Sequence, residues 1–167
     1  MNIKLRYLKV SDAEDFFRIL NNPRFKFFSA RPKTIREEEN WIKECPKKRR
    51  KGLEYNFAII LYGELVGGAG IKVDQHRKHC VEIGYFVDEE HWGKGVATKV
   101  VKMLEDIAFN KLKAVRIEIL AHPKNKASLR VAEKNGYKKE GIHKAKAIGR
   151  AGGYEPAVVL AKVKLPK

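Results

Sequence analysis

Ile3, Leu5 and Tyr7 alternate with polar residues, the two-residue period of a half-buried strand. Ser11-Asp12-Ala13-Glu14 then has the form of a capping box, and Phe16, Phe17, Ile19 and Leu20 give an apolar face to a short helix that Asn22-Pro23 ends. Thr34-Ile35-Arg36-Glu37 repeats the device ahead of a second helix, which carries Trp41 and Ile42 to about Glu44. β-rich runs over 55–62 and 65–73 turn at Gly63-Glu64 and predict a hairpin, with 81–87 as the next strand. From residue 96 the pattern changes. Val96, Val100, Val101, Leu104, Ile107 and Ala108 recur at helical spacing to about Lys111, and residues 115–120 follow as a strand. A further helix over 125–135 stops at Asn135-Gly136, and strands over 137–147 and 154–163 are joined by a glycine-rich loop. A meander running into a β-α-β crossover predicts a single α/β domain over 1–167, with one mixed, mostly antiparallel sheet flanked by helices.

Composition adds little to the fold and more to the partners. Hydrophobic residues at 44% and charged ones at 34% suit a globular chain, not a disordered one. The N-terminus lacks the apolar core of a secretion signal, and no eighteen apolar residues run together, so neither secretion nor a membrane span is expected. Cys45 and Cys80 show no paired-cysteine spacing; two free thiols point to a reducing, cytoplasmic setting. A net charge of +16 attracts polyanions, whether RNA, an acidic protein or a phosphorylated cofactor, unless it is only a lysine-rich solvated surface. The densest basic run, Pro46-Lys47-Lys48-Arg49-Arg50-Lys51-Gly52, reads as an exposed, solubilising loop because no aromatics interleave with its charges.

The most telling stretch is Trp92-Gly93-Lys94-Gly95-Val96-Ala97-Thr98, which leaves a strand and opens a helix. Glycines bring backbone close to a ligand, and a helix N-terminus offers unpaired N–H groups with a partial positive charge. A pyrophosphate suits that place. The spacing fits neither a P-loop nor a three-glycine dinucleotide fingerprint.

Two motifs together resemble the GNAT superfamily of N-acetyltransferases. The first signature, Q/R-x-x-G-x-G/A, is matched by Trp92 to Ala97 with tryptophan in first place. With Gly84-Tyr85-Phe86 before it, that substitution resembles the RimJ/RimL branch, which acetylates protein N-termini. The second signature is matched by Asn125, Ser128, Val131, Lys134, Gly136 and Tyr137, followed by Glu140-Gly141. The resemblance covers nearly the whole chain. It implies a mostly antiparallel sheet of about seven strands with about four helices, and acetyl-CoA bound where two central strands splay. It further implies that the N–H groups of Gly93, Lys94, Gly95, Val96, Ala97 and Thr98 hold the pyrophosphate and that Phe86 and Val87 pair with the pantetheine amides. Trp92 flanks the turn, and Asn125 bonds to the cofactor. Lys94 either pairs with phosphate or stays solvated.

Acetyl transfer needs a neutral amine, an oxyanion donor, here expected near the Val87 N–H, and an acid for the departing thiolate. Direct attack requires no covalent enzyme intermediate and no metal. Many relatives place a tyrosine acid where this chain has Ala132, and RimL-type relatives place a glutamate base where it has Ala147. Ser128, either acid or mere helix cap, and Glu82 are the remaining candidates. Glu82 shares a strand face with Gly84 and Phe86 unless a bulge intervenes; Glu118 and Glu155 are lesser candidates. Tyr85 and His91 either line the site or serve as core packing and an exposed turn, the latter being the favoured reading.

The acceptor that the resemblance implies is a protein N-terminal amine, ribosomal proteins among them, with a small amine as the alternative. The surface charge argues against polyamines and aminoglycosides unless a local cluster of acids reverses the field. A non-catalytic acyl-CoA sensor, or an RNA- or ribosome-associated binding module, stays open because of Ala132 and Ala147.

Overall fold

The computed structural model describes residues 1–166. Seven strands, β1 (Ile3–Tyr7), β2 (Glu54–Leu61), β3 (Glu64–Val73), β4 (Cys80–Val87), β5 (Arg116–Ala121), β6 (Lys138–Ile148) and β7 (Tyr154–Val163), form one sheet. Their order is β1-β2-β3-β4-β5-β7-β6. Neighbours are antiparallel except β4 and β5, whose parallel ladder is confined to Cys80↔Arg116, Val81↔Ile117 and Glu82↔Glu118. Beyond Glu82 the two strands part, although β4 runs on to Val87 and β5 to Ala121.

Helices α1 (Ala13–Leu20) and α2 (Ile35–Arg50) lie over β3 and β2. Helix α3 (Val96–Asp106) packs on β4, β1 and β3, and α4 (Lys126–Lys134) packs on α3 and β5. The main core buries alternate strand residues such as Ile59, Ile71, Ile83 and Ile117 with Val100, Val101 and Leu104 of α3. Burying a side chain of that size is worth roughly 1.5–3 kcal/mol, so this layer fixes where α3 begins. A smaller cluster joins Phe16, Ile19 and Leu20 of α1 to Phe25 and Phe86.

Three sequence expectations shift. The Ser11-Glu14 capping box does not form. Asp12 instead accepts the Lys9 N–H at 2.8 Å and binds Arg6 in a two-pronged pair with both contacts at 2.7 Å, an ion pair that outcompetes a hydroxyl cap. Helix α2 does not stop near Glu44; it runs through Pro46 and the basic run to Arg50. Proline removes one N–H there, but Lys47, Lys48, Arg49 and Arg50 oppose the negative end of the helix dipole. Lys48 also pairs with Glu54 at 3.1 Å and Arg49 lies 3.7 Å over the Tyr7 ring, so the run is a docked helix end and not a loop. The β2–β3 turn centres on Tyr62-Gly63, both at positive φ, one residue earlier than Gly63-Glu64. Thr34 does cap α2, accepting the Glu37 N–H at 3.1 Å, while the Glu37 carboxylate reaches back to the Lys33 N–H at 2.7 Å.

Candidate active site

Between β4 and α3 the chain makes a tight turn. Gly93 and Gly95 adopt φ of 73° and 79°, left-handed conformations that cost other residues energy. A Cβ at either position would meet nothing within 4 Å; backbone geometry, not crowding, selects glycine here. Among the described residues no hydrogen bond engages the N–H groups of residues 93–98; Lys99 is the first to bond back, to the Gly95 carbonyl at 3.2 Å. These amides, left without a backbone partner at the positive end of α3, form a turn of the kind that suits phosphate oxygens. Trp92 fastens the turn to the sheet: its indole N–H donates to the Val87 carbonyl at 2.6 Å, and its ring packs 5.5 Å from that of Phe25.

At the break itself, the Phe86 carbonyl lies against Gly67 of β3, so close that a Cβ there would collide. Backbone alternation then turns the N–H and C=O groups of Tyr85 and Val87 toward the gap left by β5. The unbroken β3–β4 register from Gly67↔Val87 to Val73↔Val81 shows no bulge, which settles the direction of Glu82: it shares one face with Gly84 and Phe86.

That face is the floor of a cavity of about 630 Å³ under α1 and α2. Phe16, Phe28, Trp41, Phe57 and Phe86 give it apolar walls. Gly84 leaves the floor bare, for a Cβ there would meet nothing within 4 Å. Glu82 opens onto the cavity and has neither a hydrogen bond nor an ion pair among the described residues, yet surrounding protein raises its pKa, opposed by the charges of Lys72 and Lys146. The lesser carboxylates are engaged elsewhere. Glu118 pairs with Arg116 at 2.8 Å, and Glu155 sits 3.8 Å from the imidazole of His122.

Ser128, in the first turn of α4, hydrogen-bonds through its hydroxyl to the Tyr85 hydroxyl at 3.1 Å, and its N–H is capped by the Asn125 side chain at 3.2 Å. The Asn125 side-chain carbonyl oxygen is thus a helix cap, and among the described residues its NH₂ makes no hydrogen bond. Burial raises the Tyr85 pKa, and the bond to Ser128 partly offsets that rise. Tyr85 lines the cavity and also packs against the core, so both sequence readings of it hold. Ala132 is 0% exposed in the main core, so the tyrosine found there in relatives has no room. Ala147 is exposed on β6 beside a register shift.

Two further residues escaped sequence reasoning. Glu38 is on the buried stripe of α2 with Ile42 and Cys45, at helical spacing, and it lines the cavity; its place in phase with Ile42 was the available signal. Burial, helped by the charge of Glu37, raises its pKa to about 7. Arg150, in the β6–β7 loop, donates to the carbonyls of Phe25, Leu20 and Asn22 at 2.6, 2.7 and 3.3 Å, strapping that loop to the end of α1. No local pattern announces a contact across more than a hundred residues.

Comparison with known proteins agrees with this geometry. The family model of the acetyltransferase (GNAT) domain matches residues 2–138. Probable N-acetyltransferase YjcK of Bacillus subtilis is 35% identical over 95% of this chain and 92% of its own length. Among solved structures, Mycobacterium smegmatis RimJ in complex with CoA-disulfide superposes with a TM-score of 0.88, at 24% identity over 96% of this chain and 81% of that one. RimL, a ribosomal L7/L12 alpha-N-protein acetyltransferase in complex with coenzyme A, gives 0.87 at 18% identity over 98% and 94%. The chain belongs to the GNAT family of N-acetyltransferases.

Proposed function

We propose that the acceptor is the N-terminal amine of a protein, attacked directly while acetyl-CoA is bound in the break between β4 and β5. The observation that carries this reading is the cavity: apolar-walled, floored by Gly84, and continuous with the break at Tyr85 and Phe86. A recess of this size admits the first residue or two of an extended chain, not a folded surface. RimL, similar in fold, acts on the α-amine of a ribosomal protein, which accords with the same class of acceptor.

Acetyl-CoA supplies the activated acetyl thioester. The N–H groups of Gly93, Lys94, Gly95, Val96, Ala97 and Thr98 hold its pyrophosphate, with Trp92 keeping the turn in place and Asn125 offering its free NH₂. The gap-facing groups of Tyr85 and Val87 pair with the pantetheine arm, and the Phe86 ring stays in the cavity wall, a refinement of the expected Phe86 and Val87 pairing. The Val87 N–H lies on the edge where an oxyanion would develop. Glu82 takes the proton of the amine, directly or through water; its raised pKa makes it a stronger base than an ordinary carboxylate. Ser128, backed by the Tyr85 hydroxyl, delivers a proton to the departing thiolate. No role in this scheme calls for a metal. The net charge of +16 suits acceptors bound to RNA, and two free cysteines suit a cytoplasmic setting.

The test is thiol release from acetyl-CoA with peptides that carry a free or a blocked N-terminus, in the native chain and in Gly84→Val. Free N-termini are expected to turn over and blocked ones not. The valine is expected to cut kcat/KM for peptide by roughly tenfold or more through lost space, without lowering the protection that CoA gives against thermal unfolding. Equal turnover in Gly84→Val would remove the acceptor from this cavity.

A further inference from the structure

The cavity does not share the positive excess of the surface. Glu37, Glu38, Glu54 and Glu82 line it against Arg31 and Lys72. Two of these carboxylates are engaged, Glu37 accepting the Lys33 N–H at 2.7 Å and Glu54 pairing with Lys48 at 3.1 Å, and Glu82 is the base of the proposed reaction. Glu38 is the remaining one. It is 6% exposed, it lines the cavity from the buried stripe of α2, and among the described residues neither a hydrogen bond nor an ion pair reaches it. A carboxylate so enclosed is unfavourable until a cation meets it.

Strand register sets the spacing. Glu54, Lys72 and Glu82 stand in one row across β2, β3 and β4, and strands about 4.8 Å apart put the first and last of them roughly 10 Å from each other. Glu38 is on the Glu54 side, both carboxylates acting on the Cys45 thiol. On the strand floor Lys72 stands between the two acidic ends, and the walls of the same cavity include Phe28, Trp41 and Phe57.

We propose that the acceptor carries two positive charges: its nucleophilic amine rests at Gly84 beside Glu82, and a second ammonium or guanidinium, at the far end of an apolar spacer, is received by Glu38. This rests on the reading of the cavity as the acceptor site. It also meets the exception to the expectation that the surface charge disfavours cationic acceptors, a local cluster of acids, because four carboxylates line the cavity against two cations. A protein N-terminus beginning with lysine or arginine has this chemistry, and so does a small diamine.

The experiment compares kcat/KM for peptides that differ only in a first residue of lysine or norleucine, and for cadaverine against pentylamine. In at least one pair the dication is expected to be favoured by roughly tenfold or more, and Glu38→Gln to bring that preference within about threefold; which pair responds tells peptide from diamine. Equal rates within both pairs would overturn the proposal in the native chain alone, whatever the folding of the variant, and so would a preference that survives Glu38→Gln. Turnover of no amine at all, with CoA still protecting against unfolding, would instead overturn the acceptor-site reading beneath it.

Discussion

Glu38 gives the structure a measurable pH signature. Its carboxyl stands at about 7 in the folded chain against an ordinary 4.5. A carboxyl raised by folding contributes no penalty below about pH 4.5, where both states are protonated, and its full penalty above about pH 7, where the folded chain holds a buried charge. The stability it carries is therefore lost as pH rises through that window. At 1.36 kcal/mol per pH unit the whole effect is about 3 kcal/mol, which for a domain of this length is a Tm change of roughly 6–12 °C. Glu38→Gln removes the titration and keeps the shape. Thermal unfolding of both proteins at matched ionic strength, from pH 4.5 to 8, isolates the term, because Glu37, Glu54, Lys72 and Glu82 remain in both and cancel in the difference. The Tm of Glu38→Gln minus that of the native chain is expected to rise steadily across the window and to flatten above it. A difference that stays constant from pH 4.5 to 8 would refute the reasoning, for it would mean that the carboxylate is solvated or paired.

Three other outcomes follow from the site. Gly95→Val places a β-branched side chain at φ 79°, a strain of roughly 1–2 kcal/mol, and is expected to abolish the thermal protection given by saturating CoA; intact protection would put the pyrophosphate elsewhere. Ser128→Ala and Tyr85→Phe should each lower kcat by roughly a hundredfold with the KM for acetyl-CoA little changed, and the double variant should be no worse than the poorer single one; multiplicative losses would show that the two hydroxyls act separately. Arg150→Ala leaves the Leu20 and Phe25 carbonyls without their side-chain donor, while the Asn22 carbonyl keeps the Phe25 N–H, and is expected to cost about 2 kcal/mol in urea unfolding and to raise the acceptor KM; an unchanged midpoint would mean that water replaces the strap at no loss.

The parts of the fold that sequence made legible are those with local causes. Alternation in Ile3-Leu5-Tyr7 and helical spacing from Val96 to Ala108 reflect one buried face each, and the pairing of Gly93 with Gly95 reflects a backbone that few residues tolerate. What escaped has causes at long range. The basic run joined α2 because Glu54 and Tyr7, distant in sequence or in another element, hold Lys48 and Arg49. Asp12 took over the cap of Ser11 because Arg6 on β1 was within reach. The acceptor cavity was the least legible part of all, since no run of residues encodes it: Glu38 of α2 and Gly84 of β4 come to line one recess only after the sheet has formed.

The shortness of the β4–β5 ladder has a further consequence. Three residue pairs join a four-stranded leaf to a three-stranded one, so the seam between them is the part of the sheet most easily opened. A ligand bound in the gap acts as a rivet across it, and at a hundred times its Kd mass action adds about 2.7 kcal/mol to the folded state. Resistance to proteolysis is therefore expected to rise with added CoA, and an unchanged cleavage rate at saturating CoA would place the ligand off the seam.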